Sequence, residues 1–143
     1  MGEFAAIESA VVGALGALLE AGSPLFAEVR AEAHGDRAGR VAALERVRTP
    51  AALVSVDGRP FSDFGPTGVR VYVLVAVASL RSAAGARVGD VDTVGVFTAA
   101  EQTTAALAGL VVGGRRLGEV EERLVAADGR RVVIEQVWHA ETV

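Results

Sequence analysis

Residues 69–78 read VRVYVLVAVA, and no other segment restricts the fold as tightly. In a strand, Val69, Val71, Val73, Val75 and Val77 point one way, and Tyr72, Leu74, Ala76 and Ala78 point the other. A strand apolar on both faces belongs at the centre of a sheet that is covered on both sides. The run before it, 51–56, is strand-like as well, so the sequence predicts strands over 51–56 and 68–79. Between them lies a stretch rich in turn formers (Asp57-Gly58, Pro60, Gly65-Pro66, Gly68) that also carries Phe61 and Phe64. A chain of 143 residues can cover one sheet face with its own helices. The other face then calls for more helix or for a neighbouring subunit.

The flanking segments supply the helices. Phe4, Ile7, Val11, Leu15, Leu18 and Leu19 recur at helical spacing and predict an amphipathic helix over 3–20, with Gly22 as its stop and Pro24 beyond. Gly13 and Gly16 weaken that helix but would let a neighbour approach closely. Residues 26–33 suggest a short edge strand. Residues 36–48 predict a short charged helix with Asp36 as N-cap, Val41, Leu44 and Val47 on one side, and Pro50 as terminator. After a Gly- and Ala-rich turn at 82–89, Asp90 is expected to cap a long helix to about Leu110, with Val94, Phe97, Ala100, Thr104, Leu107 and Leu110 inward. Asp128-Gly129 between two alternating runs predicts a terminal hairpin. With no internal repeat or linker, residues 1–143 read as a single domain. Its class is α+β, a mostly antiparallel sheet flanked by two main helices.

Composition narrows the function classes. No stretch approaches the roughly 20 apolar residues of a membrane span. The first residues do not read as a signal peptide, because Glu3 and Glu8 stand where a basic region would be. There is no cysteine, hence no disulfide framework, thiolate nucleophile or cysteine metal site. A net charge of −4 and a pI near 5.2 argue against nucleic acid as the main partner. All 14 basic residues are arginine, which a GC-rich coding sequence explains most simply. Hydrophobic residues make up 51% and mean hydropathy is +0.39. Both hint that other subunits cover apolar surface.

Local chemistry is sparse. His34 and His139 are far apart in sequence and form no ligand pair. No serine stands in a G-x-S-x-G turn. Glu121–Glu122 and Asp90/Asp92 read as a solvated strand face and a helix start rather than a paired-carboxylate site. The segment VVGGRRLG, 111–118, is not a phosphate-binding loop. It reads as a polar loop, with Arg115 and Arg116 as candidates for a carboxylate on a partner. Phe61 and Phe64 either fold back on the core or anchor a partner, with Arg59 and Asp63 making polar contacts around them. No catalytic, cofactor or metal site is expected.

The order of parts carries a resemblance. The helix IESAVVGALGALL leads through PLFAEVR to a charged short helix. The strand TPAALVSVDG follows, then VRVYVLVAVASLRS, a long helix and a terminal hairpin. The most telling points are Pro50-Ala51-Ala52-Leu53-Val54 running into a glycine turn, and Tyr72-Val73-Leu74 leading to Leu80-Arg81. Over almost its whole length the chain resembles the Mu-like family of small phage tail proteins regarded as tail terminators. The resemblance implies a homo-oligomeric ring, a hexamer, that caps the tail tube and stops its polymerisation. It also implies the sheath and the neck or connector as further neighbours, and DNA passing through the lumen without specific binding. The place would be the tail of a virion or phage-like particle, assembled in the bacterial cytoplasm. The alternatives are another head–tail connector or tail-completion protein, or a small homo-oligomeric α+β ligand-binding domain or enzyme.

Overall fold

A computed structural model describes residues 2–32, 36–60, 67–79, 81–90, 93–127 and 130–143. It is an α+β fold built on one six-stranded sheet. Helix α1 spans Glu3–Gly16, with Ile7, Val11 and Leu15 buried. It stops short of residue 20 because the next residues turn back on themselves. Strands β1 (Leu19–Glu20) and β2 (Ser23–Pro24) pair antiparallel across Ala21 and Gly22, whose φ angles are 51° and 83°. Gly22 therefore makes a tight turn in a hairpin and does not stop the helix, and Leu19 is left exposed. A Cβ at Gly13 or Gly16 would meet nothing within 4 Å, so neither glycine serves a close approach.

Strand β3 (Glu28–Ala31), helix α2 (Arg37–Ala43) and strand β4 (Ala51–Pro60) form a crossover, with β3 parallel to β4. As expected, Asp36 caps α2, its Oδ1 accepting from Gly39 N at 2.6 Å. A single 3₁₀ turn, Leu44–Arg46, continues the helix. Strand β5 (Thr67–Ala78) pairs antiparallel with β4 from Ala51↔Ala76 to Pro60↔Thr67. The segment 82–89, read as a turn, instead holds helix α3 (Ala83–Val88), capped by Ser82 through Gly85 N at 3.0 Å.

Helix α4 spans Val96–Leu107 with Gly95 at its N-cap position. Asp90 does not cap it. Its Oδ1 accepts from Thr93 N at 3.1 Å and its Oδ2 from Ser79 Oγ at 2.5 Å, tying the end of β5 to the turn before the helix. A Cβ at Gly95 would lie 2.4 Å from Arg87 O and Gly89 N. The α3–α4 corner thus closes only over a residue without a side chain.

Strands β6 (Val111–Val112), β7 (Arg115–Ala127) and β8 (Arg131–Thr142) complete the sheet, whose order is β3-β4-β5-β8-β7-β6. Residues 111–118, read as a loop, form a hairpin about Gly113 and Gly114, both at positive φ. The expected terminal hairpin is β7–β8; Asp128-Gly129 lie outside the described residues.

Both faces of β5 are covered, as its two apolar sides require. Val69, Val71, Val73, Val75 and Val77 pack with α1, α3 and α4 in the larger core. Leu74 and Ala76 join Leu53, Val133 and Leu44 in a smaller one beneath α2. The two main helices thus share one face, and the short helix covers part of the other within the same chain. On α4 the buried residues are Val96, Ala99, Ala100, Thr103 and Leu107, whereas Phe97 stays 45% exposed. The inner stripe is turned from the expected one, with small residues against the sheet.

Candidate assembly surface

Of the residues singled out as contacts, Arg59, Arg115 and Arg116 lie among the described residues. Arg59 lies on β4 opposite Gly68, next to the end of the β4–β5 ladder. Phe61, Asp63 and Phe64 lie outside the described residues, as does His34. Arg115 and Arg116 are consecutive on β7, so their side chains take opposite faces. Arg115 is turned into its own subunit: its Nε donates to the Glu3 carboxylate and its Nη1 to Ala140 O at 3.0 Å. It fastens the first turn of α1 to the sheet. Arg116 is exposed and sits opposite Glu141, beside a cleft of about 420 Å³ lined by Leu117, Gly118, Thr142 and Val143. Only Arg116 of the pair points outward.

The outer side of β7 is the longest open edge. Strand β6 pairs only with Arg115 and Arg116, and Leu117 exchanges backbone bonds with Leu110 and Gly109. Beyond that point, among the described residues, β7 pairs on one side alone, with β8. Its ladder is interrupted between Glu119 and Glu121 and again between Leu124 and Ala126.

The first bulge has an effect that period-two reading misses. It places Glu119 and Glu122 on the same face, next to α4. Thr104 Oγ1 donates to Glu119 Oε2 at 2.9 Å, while Gln136 Nε2 donates to Glu122 Oε2 at 2.7 Å, to Ala100 O and to Thr104 Oγ1. Partial burial raises the Glu119 pKa above its ordinary value; the Thr104 hydroxyl opposes the shift and the nearby Glu122 carboxylate adds to it. A carboxyl raised in the folded state favours its proton there. Its contribution is most favourable at pH below the unfolded value, and is lost as pH rises through the folded one. Glu119→Gln keeps the acceptor and removes the charge. It should therefore stabilise the protein relative to wild type more at pH 7 than at pH 4, as read by urea denaturation at both.

Other polar groups are spent on internal structure. Ser55 Oγ donates to Glu32 O at 2.6 Å. His139 is half-buried on β8, its Nδ1 3.3 Å from Glu141 Oε1. Glu135 is fully buried under α2 with Arg37 Nη2 and Arg40 Nη2 each 2.9 Å from its oxygens, and the Arg40 guanidinium carbon lies 4.0 Å from the Tyr72 ring centroid. Sequence reading passed over this cluster because its members are far apart in the chain. Arg37 and Arg40 at helical i, i+3 spacing over an acidic residue in the apolar run VVIEQVW is the signal that was there. A groove of about 520 Å³, lined by Glu20, Asp90, Thr93 and Thr98 among others, opens beside the start of α4. Among the described residues no group of three His, Asp or Glu is placed to hold a metal ion, and no helix is long and apolar enough to cross a membrane. No protein-family model and no curated protein matches the sequence.

Proposed function

We propose that this chain is a structural tail protein of a phage or phage-like particle, a terminator whose ring caps the tail tube and halts its polymerisation. The observation that carries this reading is the arrangement of parts. The elements on which the family resemblance rests follow in the same order, from α1 through the β4–β5 hairpin and α4 to β7–β8. They are joined in one sheet with β4 and β5 inside it. Two further features support it. Exposed apolar residues lie outside the β7 edge, at Phe97 and Val111, and several described polar side chains, among them Arg40, Asp90, Glu135 and Gln136, are engaged internally rather than gathered around a closed pocket. An acidic chain also suits a ring through which DNA must pass without sticking.

Purified chain is expected to bind the ends of isolated tail tubes and to appear there as a ring in negative-stain images, with the mass of a hexamer. A chain that leaves tube ends bare, and tube growth unchanged, removes this reading.

A further inference from the structure

The edge of β7 has a pattern that goes beyond protection from chance pairing. Charges and bulges blunt it, yet it exposes Val120 by 63% and Leu124 by 57%. We infer that this edge is a contact between two copies of the chain, β7 pairing antiparallel with β7 of the second copy about a two-fold axis at Glu122.

The choice of register follows from symmetry. A two-fold axis normal to a continuous sheet returns each face to itself, so it passes through a residue and facing residues share a face. Glu121 and Arg123 are on one face, opposite Val137 and Glu135 of β8. Glu122 and Leu124 are on the other, opposite Gln136 and Ile134. An axis at Glu122 puts Glu121 against Arg123 of the second copy, twice. An axis at Glu121 stacks two carboxylates. An axis at Arg123 stacks two guanidiniums and sets Leu124 against Glu122. Opposite charges face each other only in the first register, and such pairs stabilise neighbouring strands.

Within one subunit Arg123 Nε already lies 3.2 Å from Glu121 Oε1. Pairing therefore closes a cluster of two carboxylates and two guanidiniums across the axis. Its cost is Glu122 facing its own mate, each carboxylate held by its own Gln136.

An edge contact of this kind covers less than the ~1,200 Å² of a standard interface, so the dimer is weak, with a dissociation constant on the order of 10 μM. The inference does not rest on the terminator reading, because an isologous pair is closed after two copies and contributes nothing to closing a ring.

Sedimentation over about 1–300 μM, a range that brackets that constant, tests it on the intact chain. Mass should rise from one copy to two. Glu121→Arg and Arg123→Glu should each weaken the dimer by about tenfold or more, since two attractive pairs become repulsive. The exchange E121R/R123E restores both pairs and should return affinity to within about threefold of wild type. Glu122→Gln should tighten it. Circular dichroism checks that each variant is folded; if one single variant is not, the other single variant and the exchange decide. A monomer at the highest concentration overturns the inference. So does an assembly indifferent to both single variants, or a folded exchange variant that stays monomeric.

Discussion

Replacing Glu135 with alanine is expected to lower the free energy of unfolding by about 3–5 kcal/mol, the usual cost of removing one partner from a buried ion cluster. The cost lies mainly in what remains. The Arg40 side chain is only 5% exposed, and among the described residues its Nε has no hydrogen-bond acceptor. Without Glu135 it keeps the Tyr72 ring face, which compensates a desolvated cation only in part. Arg37, 40% exposed, can turn to solvent, so Arg37→Ala should cost much less than Glu135→Ala.

The cluster's net contribution is a separate matter. Replacing Arg37, Arg40 and Glu135 together with leucine, methionine and leucine should recover most of the loss, because a packed apolar cluster avoids the desolvation that the ions endure. Urea unfolding of the four proteins measures this. A Glu135→Ala loss below about 1 kcal/mol would mean that the guanidinium finds water, and that α2 does not seal the site.

Trp138→Ala should be comparably severe, at about 3–5 kcal/mol. Trp138 is fully buried on β8 within the larger core, and its Nε1 donates to Gln136 Oε1 at 3.1 Å. Its loss opens a cavity between the sheet and its helices and also strips a donor from the Gln136 network, leaving Oε1 without it. Trp138→Phe separates the two effects: it keeps most of the volume and loses the donor, and should cost about 1–3 kcal/mol. Trp138 is the one tryptophan of the chain, so unfolding of both variants is followed by far-UV circular dichroism. Equal losses for the two variants would contradict the cavity account.

The sequence made the sheet legible where side chains alternate without exception. The valines of β5 and the apolar partners in β4 determined a central, doubly covered hairpin, and Asp36 marked the start of α2. Reading failed where one residue had two uses. Asp90 has the composition of a helix cap, yet Ser79 and the backbone of Thr93 claim its carboxylate. Residues 83–88 look like a turn because of their glycine and alanine, but Ser82 caps them into a helix. On α4, side-chain size does not mark the inner side. Packing against β8 suits Ala99, Ala100 and Thr103, and leaves Phe97 at the rim.

The contact surface was the least legible part. Arg115 and Arg116 look alike in sequence, but strand alternation sends one to Glu3 and the other to solvent. The bulge that aligns Glu119 with Glu122 has no local signature, since it exists only relative to β8.

Strand β8 lies between β5 and β7 although it follows both in the chain. On the ribosome, β4 and β5 can pair as soon as they emerge, because their partners are near in sequence. The other edge of β5 then waits through α3, α4, β6 and β7, and the valines of its inner face wait with it for Ile134 and Trp138. A nascent chain of this protein carries an unclosed apolar seam through the 52 residues, 79–130, that separate β5 from β8, and a pause or release before residue 131 leaves that seam open to other chains. The strand made latest is the one that turns an adhesive intermediate into a finished subunit.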